Sequence, residues 1–194
     1  MYHFFALINR MKYINRWGLM RNTAPENIQE HSQQTAVLAH ALAIIAQKRL
    51  GNTEINPERA AIIALYHDAT EIITGDAPTP VKYYNEEIKN CYKTIEKQTS
   101  ESLLNKLPED LKHVYNEIFN AENTNEWLYV KAADTLCAYI KCIEELKAGN
   151  NEFRSAMNST KAKLDNLASS IPALNIFMSE FLESYFLTID EQGI

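Results

Sequence analysis

The sequence is poor in the residues that build turns and β-sheets. It holds five glycines and six prolines among 194 residues, about half of the roughly 12% that these two residues usually make up together. Valine occurs only four times. Because glycine and proline mark turns and valine favours strands, this scarcity argues against a β-sandwich, a β-barrel or a glycine-rich nucleotide-binding fold.

Cysteine is also scarce. Cys91, Cys137 and Cys142 are an odd number and contain no Cys-x-x-Cys pair. This pattern excludes a disulfide framework and a thiolate zinc site, and it is typical of proteins in a reducing cytosol. The first residues lack the basic stretch and the long apolar run of a signal peptide. We therefore predict a cytoplasmic protein.

Positive charge is in deficit, with 19 lysines and arginines against 25 acidic residues and a net charge of −6. An acidic chain binds polyanions poorly, so we expect no nucleic-acid polymer as a partner. A small anionic substrate needs only one or two local cations and remains compatible with this balance. No apolar run approaches about 18 residues, so no membrane span is expected.

Helical periodicity runs along the whole chain, which predicts one all-α domain over residues 1–194. Asn56 and Pro57 have the order of a helix cap and a first-turn proline, and Gly51 has that of a helix C-terminus. Two prolines within residues 76–80 exclude a helix there. The predicted helices cover about 2–18, 28–50, 57–74, 81–106, 125–147, 152–169 and 172–187, with a further short helix opened by Pro108.

Polar residues in apolar helical settings are the most informative feature. His67 and Asp68 follow seven residues without a charge, where burying a carboxylate is costly unless it is paired or bound to a metal. An isolated His-Asp pair is more often a helix edge facing water. Glu71, however, falls on the same face as His67 and Asp68, because this helix is predicted to run to about residue 74.

Two further residues complete a set of metal ligands. His31 stands at the start of the second predicted helix, and Asp134 lies in another mostly apolar helix. With His67 and Asp68 they supply two imidazoles and two carboxylates, a set that suits a divalent transition metal such as manganese or cobalt better than calcium. Helical bundles build metal sites from facing helices in this way, so we predict one such ion.

The order His31, His67-Asp68, Asp134 resembles that of the HD-domain metal-dependent phosphohydrolases. The surrounding sequence is similar, more specifically, to the bacterial 5′-deoxynucleotidases of the YfbR type. Ala77 departs from the leucine typical of those enzymes. The segments that carry the resemblance span most of the chain and are residues 15–22, 30–32, 66–71, 74–83, 133–134 and 144–153.

This resemblance implies a role for each matching residue. Arg16 would orient a phosphate, Trp17 would hold the sugar, and Glu71 would handle a proton. Catalysis would involve Glu71, Arg16 and Asp68. The implied metal ligands are His31, His67, Asp68 and Asp134. The implied substrate contacts are Arg16, Trp17, His31, Asp68, Asp76, Ala77, Pro78, Thr79 and Asp134.

The resemblance also implies an all-α HD domain, with its metal-site region at about residues 28–140, that forms a homodimer. The implied reaction is hydrolysis of deoxyribonucleoside 5′-monophosphates, with selection against ribonucleotides and 3′-phosphates. One alternative is another HD-domain hydrolase, either a deoxynucleoside triphosphohydrolase or a nucleotide phosphodiesterase. The other is a non-catalytic helical regulatory module whose site is vestigial.

Overall fold

The computed structural model describes residues 1–193 and confirms the all-α prediction, with no β-strand in that range. The longest helices, α2 and α8, have the bounds that the sequence predicts. In chain order the α-helices are α1 (Phe4–Ile8), α2 (Ile28–Leu50), α3 (Pro57–Tyr66), α4 (Glu71–Thr74), α5 (Thr79–Lys82), α6 (Glu86–Leu104), α7 (Glu109–Phe119), α8 (Asn125–Lys147), α9 (Arg154–Ala168) and α10 (Pro172–Glu180).

Local side-chain chemistry sets the ends of the helices that carry the site. The side chain of Asn27 accepts hydrogen bonds from the backbone at the start of α2, and Glu30 reaches back to the Asn27 backbone, forming a capping box. Gly51 ends α2 in the left-handed conformation with φ of 69°, which glycine adopts without steric cost. Asn56 caps α3 through the Arg59 backbone N–H.

Several predicted boundaries differ from the structure, and two of them concern segments beside the predicted site. The helix predicted over 2–18 is α1 followed by a 3₁₀ helix at Asn9–Tyr13. Residues 14–27, here called the N-terminal strap, are not α-helical, and their two ends pair through an antiparallel bridge between Asn15 and Asn27. The prolines do not exclude a helix from all of residues 76–80, because α5 begins at Thr79 with Pro80 in its first turn, where a missing N–H is tolerated.

The main core lies between α2, α3, α8, α9 and α10. Leu42, Ile63, Leu136, Ile140 and Leu174 are all buried there. A smaller cluster joins α1 to the end of α6 through Phe4, Leu103 and Leu104. These cores fix the relative positions of α2, α3 and α8, the helices on which the predicted ligands lie. Within the described range, no helix is both long and apolar enough to cross a bilayer.

Candidate metal centre and substrate pocket

His31, His67, Asp68 and Asp134 meet at one place, and we call them the His/Asp cluster. His31 lies in the first turn of α2, His67 and Asp68 directly follow α3, and Asp134 lies midway along α8. Ligand atoms of His31, His67 and Asp134 all lie within 4.8 Å of one another. Asp68 Oδ2 is 3.4 Å from His31 Nε2 and 3.2 Å from His67 Nε2.

The chain leaves the α-helical pattern at His67. The His67 Nδ1 atom lies 2.7 Å from the carbonyl oxygen of Ala64, which in an unbroken helix would accept from the Asp68 N–H. The next turn forms with hydrogen bonds that span three residues instead of four, such as the bond from Glu71 N to Asp68 O. The prediction that His67, Asp68 and Glu71 share one continuous helix is therefore wrong, because this side-chain hydrogen bond ends α3 at Tyr66.

The same hydrogen bond leaves the second ring nitrogen of His67 able to accept a metal ion. When Nδ1–H donates to Ala64, the neutral ring keeps its lone pair on Nε2. Nε2 is buried and has no hydrogen-bond partner. Burial lowers the pKa of His67, so the neutral form is favoured. An unpartnered buried imidazole nitrogen beside two carboxylates fits a divalent transition metal.

Asp134 is kept ionised by its neighbours. Burial acts to raise its pKa, but Lys131 and the hydrogen bond from His31 hold the pKa of Asp134 well below its usual value. Lys131 Nζ lies 3.1 Å from Asp134 Oδ2, while Asp134 Oδ1 lies 3.3 Å from His31 Nε2. The carboxylate is therefore charged and oriented, as a metal ligand must be.

Arg16 reaches the His/Asp cluster through His31. Its Nη1 atom lies 2.7 Å from His31 Nδ1, and because a guanidinium only donates, Nδ1 accepts and the neutral ring carries its proton on Nε2. Binding a metal through Nε2 requires the opposite tautomer, in which His31 no longer accepts from Arg16. The Arg16 Nε–H is buried and has no partner, so the side chain keeps a donor for a ligand.

Glu71 lies in the same region, and its surroundings favour the protonated, uncharged form of its side chain. Burial, with smaller contributions from Asp68 and Asp76, raises the pKa of Glu71 to about 10. Its Oε2 atom is buried and has no hydrogen-bond partner. A carboxyl group that holds its proton at neutral pH can serve as a general acid.

Trp17 is held in an unusual backbone conformation. Its φ of 61° is the only positive value among the described residues other than glycine, and the helix end predicted at this position is absent. The Trp17 backbone N–H donates to Asp76 Oδ2 at 3.1 Å, and the indole Nε1–H donates to Glu26 Oε2 at 3.0 Å. A residue strained in this way persists only where its surroundings fix it.

The 76–79 loop lies beside the N-terminal strap through this contact between Asp76 and Trp17. Burial raises the pKa of Asp76 above its usual value, although the positive charge of Arg16 opposes this rise. Ala77 and Pro78 are half-buried and Thr79 is exposed at the start of α5. These residues bring no charged group other than Asp76. Lys82, one turn beyond, pairs with Glu96 of α6 at 2.7 Å.

A buried ion pair anchors the far end of the N-terminal strap to α8. Lys141 and Glu145 pair with side-chain exposures of 5% and 1%. Glu145 also accepts from the Thr23 backbone N–H at 2.9 Å and from Asn150 Nδ2 at 2.8 Å. Burial opposes ionisation, yet hydrogen bonds from Lys141, Asn150 and Thr23 hold the pKa of Glu145 well below its usual value. The same helix thus carries Asp134 and holds the strap.

Three acidic or basic residues of this region were not predicted as site residues. Lys131 and Glu26 have no sequence signal of their own, since one is a single lysine on a helix and the other a single acid in a polar stretch. Glu145 lies within a segment that carries the family resemblance, but no motif assigned it a role. The one signal that could have found Glu145 is a charged residue on the apolar face of a predicted helix.

Comparison with known proteins places the chain in a family. The model of the 5′-deoxynucleotidase YfbR-like family matches residues 3–185. A 5′-deoxynucleotidase of Yersinia pseudotuberculosis is 48% identical over 98% of this chain and 96% of its own length. The 5′-deoxynucleotidase YfbR of Salmonella typhi is 48% identical over 97% of this chain and 94% of its own.

Solved structures agree on the fold. An HD-domain phosphohydrolase from Listeria innocua matches with a TM-score of 0.82 and 20% identity, over 98% of this chain and 91% of its own. A cyanophage S-2L HD phosphohydrolase, solved with dA and one catalytic Zn²⁺, matches with a TM-score of 0.63 and 23% identity, over 93% and 95%. The chain therefore has the fold of HD-domain phosphohydrolases and belongs to the 5′-deoxynucleotidase YfbR-like family.

Proposed function

We propose that the chain is a metal-dependent 5′-deoxynucleotidase that hydrolyses deoxyribonucleoside 5′-monophosphates to deoxyribonucleosides and phosphate. The observation that carries this proposal is the placement of the Arg16 guanidinium beside the His/Asp cluster. Its Nη1 atom lies 2.7 Å from His31 Nδ1, a contact that metal binding at His31 Nε2 would release for a phosphate. A fixed cation beside a set of metal ligands suits a phosphate that both would contact. Relatives named 5′-deoxynucleotidases at 48% identity support it.

His31, His67, Asp68 and Asp134 would hold one divalent transition metal ion, and manganese or cobalt is our proposal for its identity. When bound, such an ion lowers the pKa of a coordinated water and polarises a phosphoryl oxygen. Support comes from the unpartnered Nε2 of His67 and from the ionised Asp134. His31, Asp68 and Asp134 would also border the bound phosphate.

Arg16 and Glu71 would act on the phosphate from the protein side. The planar guanidinium of Arg16 offers two parallel N–H groups, which match phosphate oxygens better than an ammonium does. In hydrolysis, water adds to phosphorus and the bond from phosphorus to O5′ breaks. Glu71, whose pKa is raised to about 10, would give its proton to the departing O5′.

Trp17 and the 76–79 loop would select the sugar. The Trp17 indole is a large apolar surface adjacent in sequence to Arg16, so it is suited to crowd and leave unsolvated a 2′-hydroxyl. Asp76 Oδ2 accepts a hydrogen bond from the Trp17 N–H, so Oδ1 would be available to accept one from a 3′-hydroxyl. Ala77, Pro78 and Thr79 would line the sugar with backbone and small side chains. Such apolar rejection of an added hydroxyl is typically worth about a hundredfold.

We also propose a domain organisation, a location and an oligomeric state. The chain would be one domain over residues 1–194, with the metal-site region at 28–140, and would act in the cytoplasm as a homodimer. Its partner would be a small-molecule nucleotide, since the net charge of −6 disfavours a nucleic-acid polymer. Size-exclusion chromatography with light scattering tests the dimer directly.

A side-by-side assay of phosphate release tests the activity. The metal-loaded protein should hydrolyse dAMP, dGMP, dCMP and dTMP, and leave AMP and 3′-dAMP nearly untouched. Trp17→Ala should lose activity or admit AMP, because the apolar surface facing the 2′ position is removed. Equal wild-type rates on dAMP and AMP would refute the proposed selectivity. With dATP and cyclic AMP assayed in parallel, a preference for either of them over dAMP would point to another hydrolase of this fold.

A further inference from the structure

We propose that Glu26 is a positioning residue that couples the phosphate-orienting arginine to the sugar-selecting tryptophan; the inference rests on the roles given to Arg16 and Trp17 in the proposed function. No feature of the sequence indicates such a role. Glu26 belongs to the N-terminal strap. Among the described residues, its side chain makes no hydrogen bond or ion pair with the His/Asp cluster. It would act through the two side chains that it holds.

One oxygen atom of Glu26 makes both contacts. Glu26 Oε2 accepts from Arg16 Nη1 at 3.0 Å and from the Trp17 indole Nε1 at 3.0 Å. The side chains of Arg16 and Glu26 are each only 11% exposed. The backbone adds a third link, because the Arg16 N–H donates to the Glu26 carbonyl oxygen at 2.9 Å. The two functional side chains therefore share one acceptor, on a strap that closes on itself.

The charge of that acceptor is central to the inference. A carboxylate oxygen accepts several hydrogen bonds and offers no donor, whereas a carboxamide of the same size has one face that donates. Charge-assisted hydrogen bonds are also shorter and stronger than neutral ones. Glu26→Gln would keep the size and the backbone but could satisfy the two N–H groups less well, so both side chains would gain freedom.

The consequence is a coupling between rate and selectivity. Fixing Arg16 lowers the cost of orienting it in the transition state, and fixing Trp17 keeps the apolar surface where a 2′-hydroxyl would fall. A single substitution at Glu26 should therefore reduce both, although its side chain contacts neither the phosphate nor the sugar in this proposal. A merely structural residue would lower the yield of folded enzyme without changing the choice of substrate.

The experiment compares metal-loaded wild type, Glu26→Gln, Glu26→Asp and a control, Glu152→Gln. Glu152 is a matched control because it also accepts from the strap, at the Arg21 N–H, but contacts neither Arg16 nor Trp17. We expect Glu26→Gln to lower kcat for dAMP about 10- to 100-fold and the dAMP/AMP ratio of kcat/KM about 10-fold. Glu26→Asp keeps the charge on a shorter arm and should lie between, and Glu152→Gln should match wild type.

Double variants separate positioning from a general structural effect. In Arg16→Ala protein, Glu26→Gln should lower kcat by less than about 3-fold further. In Trp17→Ala protein, it should leave the dAMP/AMP ratio unchanged. A full, independent loss of rate in the Arg16→Ala background, with selectivity intact, would overturn the inference.

Tryptophan fluorescence tests the position of Trp17 without any measurement of enzyme activity. The chain has two tryptophans, so in a Trp127→Phe background the emission reports Trp17 alone, and Glu26→Gln should increase its quenching by acrylamide. If Glu26→Gln does not fold, Glu26→Asp replaces it in the kinetic comparison, in the double variants and in the quenching experiment. Wild type that hydrolyses no deoxyribonucleotide would refute the proposed function, whereas an active wild type with Glu26→Gln equal to Glu152→Gln in rate, selectivity and quenching would refute this inference alone.

Discussion

The His/Asp cluster and the N-terminal strap hold their functional residues by different means. The cluster residues lie on or directly after α2, α3 and α8, whose positions are fixed by the main core. Arg16 and Trp17 lie on a segment that is not α-helical. The half-buried carboxylates of Glu26 and Asp76 and the buried carboxylate of Glu145 hold that segment through side-chain hydrogen bonds. One half of the candidate site therefore depends on hydrophobic packing, and the other half depends on a few polar contacts.

This difference leads to opposite expectations for mutation. Removing a cluster residue should abolish chemistry and leave the fold intact, because the helices do not depend on it. Removing a carboxylate that holds the strap should cost stability or positioning, because buried donors lose their acceptor. The four predictions below test this contrast.

The largest effect is expected for Asp68→Ala. Loss of one ligand should abolish phosphate release from dAMP and remove most bound metal, because the remaining ligands no longer surround the ion. The melting temperature of the metal-free protein should change little. Metal analysis, the dAMP assay and thermal unfolding check this, with the surface substitution Asp165→Ala as the control. Full activity and full metal content in Asp68→Ala would contradict the four-ligand model.

The next effect is on stability, at the anchor of the strap. Glu145→Ala leaves Lys141 charged and buried without its partner, and such changes cost about 3–5 kcal/mol in the free energy of unfolding. Denaturant unfolding measures this loss. The neighbouring Glu144 is exposed, so Glu144→Ala should stay within about 0.5 kcal/mol of wild type. Equal stability of the two variants would mean that the strap is not held by this pair.

Arg16→Ala should act on catalysis rather than on metal binding. We expect the variant to keep its metal and lose about 2–4 kcal/mol of transition-state stabilisation, as for other preorganised donors. Arg16→Lys should restore only part of the rate, since an ammonium cannot make two parallel hydrogen bonds. Steady-state kinetics with dAMP and metal analysis test both statements. Unchanged kcat/KM in Arg16→Ala would remove Arg16 from the site.

The smallest effect is the pH dependence of stability that comes from Glu71. Its pKa is raised from 4.5 to about 10 in the folded protein, so the unfolded chain releases a proton that the folded chain keeps. The free energy of unfolding of the metal-free protein should therefore fall as pH rises between those values. Glu71→Gln removes this titration and should be more stable than wild type by up to about 3 kcal/mol at pH 7, with the difference vanishing near pH 4.

Denaturant unfolding in chelator from pH 4 to pH 8 measures that difference. The exposed Glu122 supplies a control, because Glu122→Gln should run parallel to wild type. A constant gap between Glu71→Gln and wild type across this range would show that Glu71 is ionised in the folded protein.

The sequence predicted the helix-borne half of the site better than the strap. Gly51 predicts the end of α2, and Asn56 with Pro57 predicts the start of α3. Polar residues in apolar helices, in a familiar order, predict the His/Asp cluster. The break at His67 could not be predicted, because it depends on a side-chain hydrogen bond to Ala64. The left-handed Trp17 depends on Asp76, 59 residues away along the chain, and no local pattern encodes such a contact.

The positive φ of Trp17 has a consequence for protein engineering. Glycine would relieve the backbone strain at this position, yet it would delete the indole that the proposed function needs against ribose. Trp17→Gly and Trp17→Ala delete the same ring and differ chiefly in strain, so any excess stability of the glycine variant measures what the backbone conformation costs. Either variant also loses the packing of the indole on Phe153 and its hydrogen bond to Glu26, so the strained backbone is tolerated for contacts that only the large side chain can make.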